Sequence, residues 1–285
     1  MKNKPNCPLC NHDDISSYGY IEGAKFARCN ACGSIFSLSG PPSDTYYSEK
    51  YHQERGHFDE RSITECKRKT FEGFLKLLGE FSPGSKILEI GSATGHALKV
   101  AKELGFDPIG VELSQTAVQQ ARALVPDVKI YATRLEQIDL PDGLFRYAAL
   151  FDVIEHIDKP HEFFGKINRL METDGKIIVV TPDIGSLSAR ISGRGWVHLM
   201  AEHVILYSRN SIVDLLNKHG FETERLMVAP KYICAQMALR HATIHPEILG
   251  GRLIRILLGR MPATMLDRPI KFNLGEMAIV ARKTS

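Results

Sequence analysis

The stretch that most constrains the fold of this chain is residues 86–98, where an apolar run leads into two closely spaced glycines. Gly91 ends the run, Gly95 follows four residues later, and apolar residues then recur at helical spacing from Ala97. This pattern predicts a β-strand, a tight glycine turn and the start of a helix, which is the opening unit of a nucleotide-binding α/β sheet. We expect glycine there because a side chain would keep a ligand away from the backbone.

The residues around this turn narrow the kind of ligand. The turn lacks a Gly-Lys-Ser/Thr ending and a third spaced glycine, which disfavours a P-loop and a dinucleotide fingerprint. Glu89 lies just before the turn, where a carboxylate would repel a pyrophosphate but accept hydrogen bonds from an ammonium group. S-adenosylmethionine (SAM) is a nucleoside that carries such an amino acid end.

Strand and helix patterns alternate after this unit. Further strands are predicted at residues 107–113, 128–132, 147–152, 176–180, 221–229 and 273–281. The alternation predicts an α/β fold with a doubly wound, mostly parallel, seven-stranded Rossmann-like sheet that binds its ligand at the carboxyl ends of the strands. The predicted domains are a zinc ribbon (1–40), a linker, lid and helix (41–83), and the α/β domain (84–285) with an insertion at 230–272.

Polar residues at the predicted strand ends are candidate ligand contacts. Glu112 ends the second parallel strand, where a carboxylate hydrogen-bonds the hydroxyls of a ribose. The loop that includes Arg134 and Leu135 follows the third strand, and with Leu113 it is placed to contact an adenine ring. Asp152 and His156 follow the fourth strand.

Two Cys-x-x-Cys pairs precede the α/β domain. Cys7 and Cys10 form the first pair, Cys29 and Cys32 the second, and eighteen residues separate the pairs. This spacing is typical of a four-cysteine zinc site, which is structural because four thiolates complete the metal's coordination. A redox dithiol is the alternative, and two pairs without a flanking βαβ unit disfavour it.

Composition limits the partners of the chain. The net charge of +3 does not indicate nucleic acid, and no apolar run approaches the roughly 20 residues that span a membrane. The N-terminus has no signal-peptide core, so a cytoplasmic location is expected.

Two further segments allow alternative interpretations. Tyr46, Tyr47 and Tyr51 indicate either a lid over the site or a packed connector. A basic, amphipathic stretch within residues 230–270 predicts a helix that is packed on the domain or, as the alternative, lies on a membrane surface.

Three motifs resemble those of class I SAM-dependent methyltransferases. They are residues 87–95, 111–114 and 151–156, so the resemblance adds Phe151 to the candidate cofactor contacts. Ala93 stands where that family usually has its middle glycine. The resemblance implies SAM as the cofactor, contacted by the glycine turn and the strand-end residues. The cofactor contacts are then Glu89, Gly91, Ala93, Gly95, Glu112, Leu113, Arg134, Leu135, Phe151 and Asp152.

The N-terminal cysteine pairs make the chain similar to bacterial zinc-ribbon methyltransferases, some of which methylate carbon atoms of nucleotide-linked deoxysugars. In those enzymes a Glu-His pair and a second histidine act in acid–base chemistry, and Glu202, His203 and His156 match these positions. His203, oriented by Glu202, is the first candidate for the general base. The Glu155-His156 pair also resembles one in ubiquinone-pathway O-methyltransferases, which implies Mg²⁺ only if a third ligand, such as Asp152, is present.

The predicted function is therefore SAM-dependent methyl transfer to an oxygen or carbon of a small molecule. The acceptor could be a sugar, a nucleotide sugar, or a precursor of a cell-surface or secondary metabolite. Two alternatives stay open at this point, namely a non-catalytic protein that binds SAM or a partner of the ribbon, and an RNA methyltransferase. The chain lacks the Asn/Asp-Pro-Pro-aromatic motif of amino-group methylation and has Thr181-Pro182-Asp183 at that position.

Overall fold

A computed structural model of the chain describes residues 5–41, 61–237, 239 and 251–284. The tyrosine-rich segment that the sequence suggests as a lid lies outside these residues. Within the described ranges, no helix has the length and apolar character needed to cross a bilayer.

The N-terminal unit is a small antiparallel sheet. Its strands are β1 (Ile15–Ile21), β2 (Ala24–Cys29) and β3 (Ile35–Ser37). Glu22 and Gly23 form the β1–β2 turn, and both have positive φ angles, of 48° and 85°, as a tight hairpin turn requires. The strands β1 and β2 thus form a hairpin between the two cysteine pairs.

The α/β unit begins with α1 and continues with alternating strands and helices. Its elements up to the centre of the sheet are α1 (Arg61–Leu75), β4 (Lys86–Ile90), α2 (His96–Leu104), β5 (Asp107–Glu112), α3 (Gln115–Leu124), β6 (Lys129–Ala132), β7 (Phe145–Phe151), α4 (Pro160–Leu170) and β8 (Met171–Pro182). The remaining elements are α5 (Leu187–Ser192), β9 (Ile205–Leu206), α6 (Arg209–Lys218), β10 (Phe221–Val228), β11 (Lys231–Ile233), α7 (Gly251–Leu258), α8 (Ala263–Leu266), β12 (Ile270–Phe272) and β13 (Glu276–Lys283).

The central sheet has seven strands in the order β10-β13-β8-β7-β4-β5-β6. The five strands from β4 to β8 are parallel to their neighbours, whereas β13 is antiparallel to both β8 and β10. The predicted fold class is therefore confirmed. The order changes direction between β4 and β7, and a ligand crevice forms at such a point.

Both faces of the sheet are covered, because alternate residues of its central strands pack in different cores. On β7, Tyr147, Ala149 and Phe151 pack with α1 and α2, whereas Ala148 and Leu150 pack on the opposite face with α4. The residues on both faces are buried, which is typical of a parallel sheet between two helical layers.

The fifth parallel strand starts earlier than the sequence suggests. Asp174 and Gly175 predict the end of a helix, but the helix ends at Leu170 and β8 begins at Met171. Asp174 has a φ angle of 59° within the strand, and Met171 pairs with Phe145 before the register shifts. The Asp-Gly pair therefore forms an irregularity within β8, where we expected a helix terminus.

The N-terminal sheet joins the α/β unit through a strand pair that the sequence did not predict. β3 pairs with β9 in antiparallel orientation, with Ile35 opposite Leu206 and Phe36 opposite Ile205. The Ser34 hydroxyl donates to the Ser211 hydroxyl at 2.7 Å. The strand β9 follows His203 directly, so this contact anchors the loop that carries His203.

Candidate active site

A cavity of about 1270 Å³ lies at the carboxyl ends of the parallel strands. The predicted cofactor residues that line it are Glu89, Gly91, Ala93, Glu112, Leu113, Arg134, Leu135, Phe151 and Asp152. Gly95, the remaining predicted cofactor residue, is not among the described lining residues. Phe71 of α1 also lines the cavity and contacts Phe151, with a ring centroid distance of 5.3 Å.

The glycine turn follows β4, as predicted, and its glycines are also required by the protein itself. Gly91 and Gly95 have φ angles of 72° and 82°. A Cβ atom at Gly91 would lie 2.5 Å from Cγ2 of Val153, and one at Gly95 would lie 3.0 Å from Cβ of Ala121. Backbone conformation and packing against protein atoms therefore favour glycine at both positions.

Ala93 takes the conformation that the family's usual glycine takes easily. Its φ angle is 44°, in the left-handed region that L-residues rarely adopt. The backbone N–H of Ala93 donates to Oε2 of Glu112 at 2.9 Å, and the N–H of Ser114 donates to Oε1 at 2.8 Å. The Glu112 carboxylate thus ties the turn to the end of β5, in addition to facing the cavity.

Two acidic groups make the floor of the cavity receptive to a cation. Glu89 is buried, and burial together with the nearby Glu112 carboxylate raises its pKa well above the usual value. Burial also raises the pKa of Glu112, although its backbone hydrogen bonds oppose this. An ammonium group placed here would offset the cost of ionising Glu89.

The cavity therefore fits SAM on structural grounds. The Ser92 hydroxyl in the turn is buried without a hydrogen-bond partner in the described part of the chain, and Glu89 has its carboxylate at the same wall. Leu113 and Leu135 supply apolar surface for an adenine ring. A ligand with an amino acid end and an aromatic base complements these groups.

Asp152 has a partner that the sequence did not indicate. Its backbone is left-handed, with a φ angle of 56°, and its Oδ2 accepts a hydrogen bond from Nζ of Lys231 at 2.6 Å. Burial raises the pKa of Asp152, but the Lys231 ammonium together with His198 and His203 lowers it overall. Lys231 lies 79 residues away, and no local motif links the two side chains.

The structure brings together the three residues that the sequence suggests for acid–base chemistry. His156 lines the cavity, whereas His203 is buried behind it with a ring centroid distance of 4.9 Å. Nδ1 of His156 bonds to the backbone carbonyl of Glu202 at 3.0 Å, and Nδ1 of His203 bonds to the carbonyl of His198 at 2.7 Å. These acceptors place the proton of each neutral ring on Nδ1, which leaves Nε2 as the basic nitrogen.

Backbone carbonyls contact both rings, that of His198 at His203 and that of Glu202 at His156. The orientation of His203 by the Glu202 side chain stays a prediction. Sequence spacing alone could not distinguish a backbone contact from a carboxylate contact.

Glu155 completes a group of three possible metal ligands with His156 and His203, whose ligand atoms lie within 4.8 Å of one another. Oε1 of Glu155 is buried without a partner among the described residues, and burial and Asp152 raise the pKa of Glu155 to about 8. Asp152, the third ligand suggested for Mg²⁺, is not in this group and binds Lys231. Two imidazoles and one carboxylate do not suit Mg²⁺, which prefers oxygen ligands, so we derive no step through it.

The four predicted zinc ligands converge in the N-terminal sheet. Their sulfur atoms lie within 4.8 Å of one another, with Cys7 and Cys32 3.7 Å apart and Cys10 and Cys29 3.5 Å apart. Four thiolates bound to zinc at about 2.3 Å stand about 3.8 Å apart, so the donor set fits a tetrahedral zinc ion.

The backbone around the second pair supports the same fit. Gly33 has a φ angle of 77°, and the N–H of Cys32 donates to Sγ of Cys29 at 3.5 Å. Gly33 thus forms a left-handed turn directly after the second cysteine pair.

Comparisons with known proteins agree with this geometry. Residues 58–226, more than half of the chain, match the family model described as a methyltransferase domain. Phosphoethanolamine N-methyltransferase 2 of Caenorhabditis elegans is 27% identical over 52% of this chain and 35% of its own length. The tRNA U34 carboxymethyltransferase of Syntrophotalea carbinolica is 26% identical over 50% of this chain and 46% of its own length.

The solved structures agree in fold. A SAM-dependent methyltransferase from Archaeoglobus fulgidus superposes with a TM-score of 0.53 at 17% identity, over 76% of this chain and 94% of that one. The chain spans about half or less of the length of the curated relatives it matches. Because the family model covers residues 58–226, including the glycine turn and the acidic strand ends, the chain belongs to the methyltransferase-domain family, as a class I SAM-dependent member.

Proposed function

We propose that this chain transfers the methyl group of SAM to an oxygen or carbon atom of a small molecule. Its cavity of about 1270 Å³ is larger than the roughly 300–1000 Å³ of a site for one small ligand, so a cofactor and an acceptor both fit. Methyl transfer from a sulfonium is an in-line displacement, for which the protein supplies mainly alignment of the two reactants.

In this proposal the described residues divide into a cofactor half and an acceptor half. Glu89 receives the ammonium group of SAM, Glu112 faces its ribose, and Leu113 with the Arg134–Leu135 turn flanks its adenine. Gly91 to Gly95 supply the backbone edge of the cofactor half. The acceptor then enters beside His156, at the side of the cavity away from β5.

The observation that carries the proposal is the position of His156. It lines the same cavity as the glycine turn, and its Nδ1 is held by the carbonyl of Glu202. We propose His156 and His203 as the pair that removes a proton from the acceptor, with Nε2 of His156 nearest the cavity. His203, the first candidate from the sequence, packs behind His156 and receives or relays that proton, and the Glu202 segment holds both rings in place.

The acceptor class we propose is a nucleotide-linked sugar or a related metabolite precursor. This rests on the resemblance of the cysteine pairs and of Glu202–His203 to sugar C-methyltransferases. The relatives that act on phosphoethanolamine and on tRNA give two other acceptor classes, which the assay below compares with nucleotide sugars or tests as an alternative.

We also propose that Cys7, Cys10, Cys29 and Cys32 bind one structural zinc ion. The convergence of the four sulfur atoms within 4.8 Å of one another supports this. All four positions around the ion are then protein thiolates, which leaves none for a substrate.

A labelled-methyl assay tests the function. The purified chain is incubated with methyl-labelled SAM and, separately, with pools of nucleotide sugars, phenols and tRNA. We expect label in the nucleotide-sugar pool, and about a hundredfold lower turnover for His156→Ala and His203→Ala with SAM affinity retained. His219→Ala, which changes a histidine outside the described cavity wall, is the matched control.

The other outcomes are equally clear. Label in tRNA alone would contradict a small-molecule acceptor and favour the RNA alternative. SAM binding without transfer to any pool would favour a non-catalytic protein. Unchanged turnover in both histidine variants would remove their proposed role.

A further inference from the structure

The segment at 230–272 leaves and rejoins the central sheet at the edge where the cavity lies. β10 ends at Val228, β13 begins at Glu276, and the N–H of Ala229 donates to the Glu276 carbonyl at 2.9 Å. Glu276 pairs with Pro182 at the carboxyl end of β8. The first strand of the segment, β11, is therefore held beside the carboxyl ends of the parallel strands.

Lys231, the first residue of β11, reaches into this edge. Its Nζ donates to Oδ2 of Asp152 at 2.6 Å and also forms a close ion pair with Glu276. The Lys231 side chain is 21% exposed and that of Glu276 is 1% exposed, so this ion pair is largely shielded from water, whereas the Asp152 side chain is 42% exposed. Asp152 lines the cavity, which makes Lys231 a link between the segment and the site.

The charges around Asp152 show why this link matters. Burial and Asp152 raise the pKa of Glu155 to about 8, and burial raises that of Glu276 to about 7. The groups that act on Asp152 or on its partners are Lys231, Glu155, Glu276, His198 and His203. Lys231 donates a hydrogen bond to the Asp152 carboxylate at 2.6 Å, and its positive charge opposes the effect of burial on the pKa of Asp152.

We propose that Lys231 is a positioning residue for the methyl-transfer site: it holds the carboxylate of the left-handed Asp152 in the orientation in which it can, in addition to Glu89, face the positively charged methionine end of SAM. This inference rests on the proposed function, since it assigns SAM to the cavity. Lys231 itself does not touch the reacting atoms in this account. It acts through Asp152. Because Lys231 belongs to β11, SAM affinity then depends on the position of β11 beside the sheet edge.

The test is a double-mutant cycle on SAM affinity, measured by calorimetry without any acceptor. Lys231→Met should weaken SAM binding about tenfold near neutral pH, as the loss of one charge-assisted contact would. Lys231→Arg should restore most of the affinity. Asp152→Asn should cost about as much as Lys231→Met, and the double variant should cost little more than either single variant.

The pH dependence separates positioning from a merely structural role. Without the Lys231 ammonium, less positive charge opposes the effect of burial, so the pKa of Asp152 should be higher in Lys231→Met than in wild type. The affinity ratio of wild type to Lys231→Met should therefore narrow as the pH rises. Lys176→Met, which removes a similarly exposed lysine paired with Glu224 outside the described cavity wall, should leave SAM affinity unchanged.

Two results would overturn the inference alone, provided that wild type binds SAM. One is normal SAM affinity in a folded Lys231→Met variant, and the other is full additivity of the Lys231 and Asp152 substitutions. A wild-type chain that does not bind SAM would overturn the proposed function as well. Thermal unfolding of each variant confirms that it is folded before its affinity is compared.

Discussion

The backbone N–H of Ala93 donates a hydrogen bond to the carboxylate of Glu112 at 2.9 Å, and this contact helps to join the turn after β4 to the end of β5. The other oxygen of the same carboxylate binds the N–H of Ser114, the N-cap of α3. One side chain therefore sets the turn and the next helix in a fixed relation. A carboxylate oxygen has two lone pairs, so Glu112 can serve this role and still accept from a ribose hydroxyl.

Two substitutions of Glu112 should weaken SAM binding to different extents. Glu112→Ala removes both backbone contacts, and a hydrogen bond to a charged group contributes about 1.5–3 kcal/mol, so we expect SAM affinity to fall at least tenfold. Glu112→Gln keeps one acceptor oxygen, so its SAM affinity should fall less. Calorimetry measures both, with Glu136→Gln on the cavity wall as the control. Equal affinities in wild type and Glu112→Ala would contradict this role.

Ala93→Gly should stabilise the protein. The φ angle of 44° costs an L-residue about 1–2 kcal/mol, whereas glycine adopts it readily. The greater conformational entropy of glycine in the unfolded chain offsets about 0.4–1 kcal/mol of this gain. We expect a net gain of up to about 1 kcal/mol in the free energy of unfolding, with SAM binding retained. Ala189→Gly in α5 should instead destabilise, and denaturant titration compares the two. A less stable Ala93→Gly variant would show that the turn is not strained.

Glu89 should give SAM binding a pH dependence. Its pKa is raised by burial and by Glu112, so the neutral acid persists above the usual range and the ammonium of SAM must bind the ionised form. Affinity should therefore rise as pH increases through the raised pKa. The sign for stability is opposite, because ionising a group whose folded pKa is raised destabilises the ligand-free fold as pH rises.

Glu89→Gln provides the comparison. We expect weaker SAM binding and a shallower pH profile from about pH 5 to about pH 8. The profile should not become flat, because burial also raises the pKa of Glu112. A wild-type affinity that falls with increasing pH over this range would have the wrong sign for the proposed ion pair.

Removal of the proposed zinc should affect turnover more than cofactor affinity. Cys32→Ser removes one of four ligands, and the ribbon strand β3 pairs with β9, which follows His203 directly. We expect loss of most bound zinc, a lower kcat and a nearly unchanged Kd for SAM. Cys66→Ser, at a buried cysteine outside the cluster, should keep its zinc. Full activity in a zinc-free Cys32→Ser variant would show that turnover does not depend on zinc binding by the N-terminal sheet.

Local patterns were sufficient to predict the sheet and the cofactor wall. The apolar run before Gly91, the polar residues at strand ends and the helical spacing between them are set by neighbours in sequence, and the order of strands follows from the general rules of α/β folds. Residues such as Glu89, Glu112 and Asp152 therefore lie at the cavity as expected. Pairing of β3 with β9 was not predictable, because two- and three-residue strands carry no periodic signal.

The contact partners of the polar residues could not be predicted from the sequence, for a related reason. Lys231 and Asp152 are 79 positions apart, and nothing in the residues around Lys231 distinguishes it from a surface lysine. Likewise, the ring of His203 is held by the carbonyl of His198, a backbone atom that every residue type provides. Sequence indicates which side chains can do chemistry, whereas tertiary packing decides which groups hold them.

A crystal structure with S-adenosylhomocysteine, the product of methyl transfer from SAM, is the most direct test that the described cavity binds the cofactor. We expect one molecule per chain in this cavity, with its ammonium group at Glu89, its ribose at Glu112 and its adenine between Leu113 and Leu135. Density for the ligand elsewhere, or a cavity that stays empty at saturating ligand while the chain is folded, would contradict it.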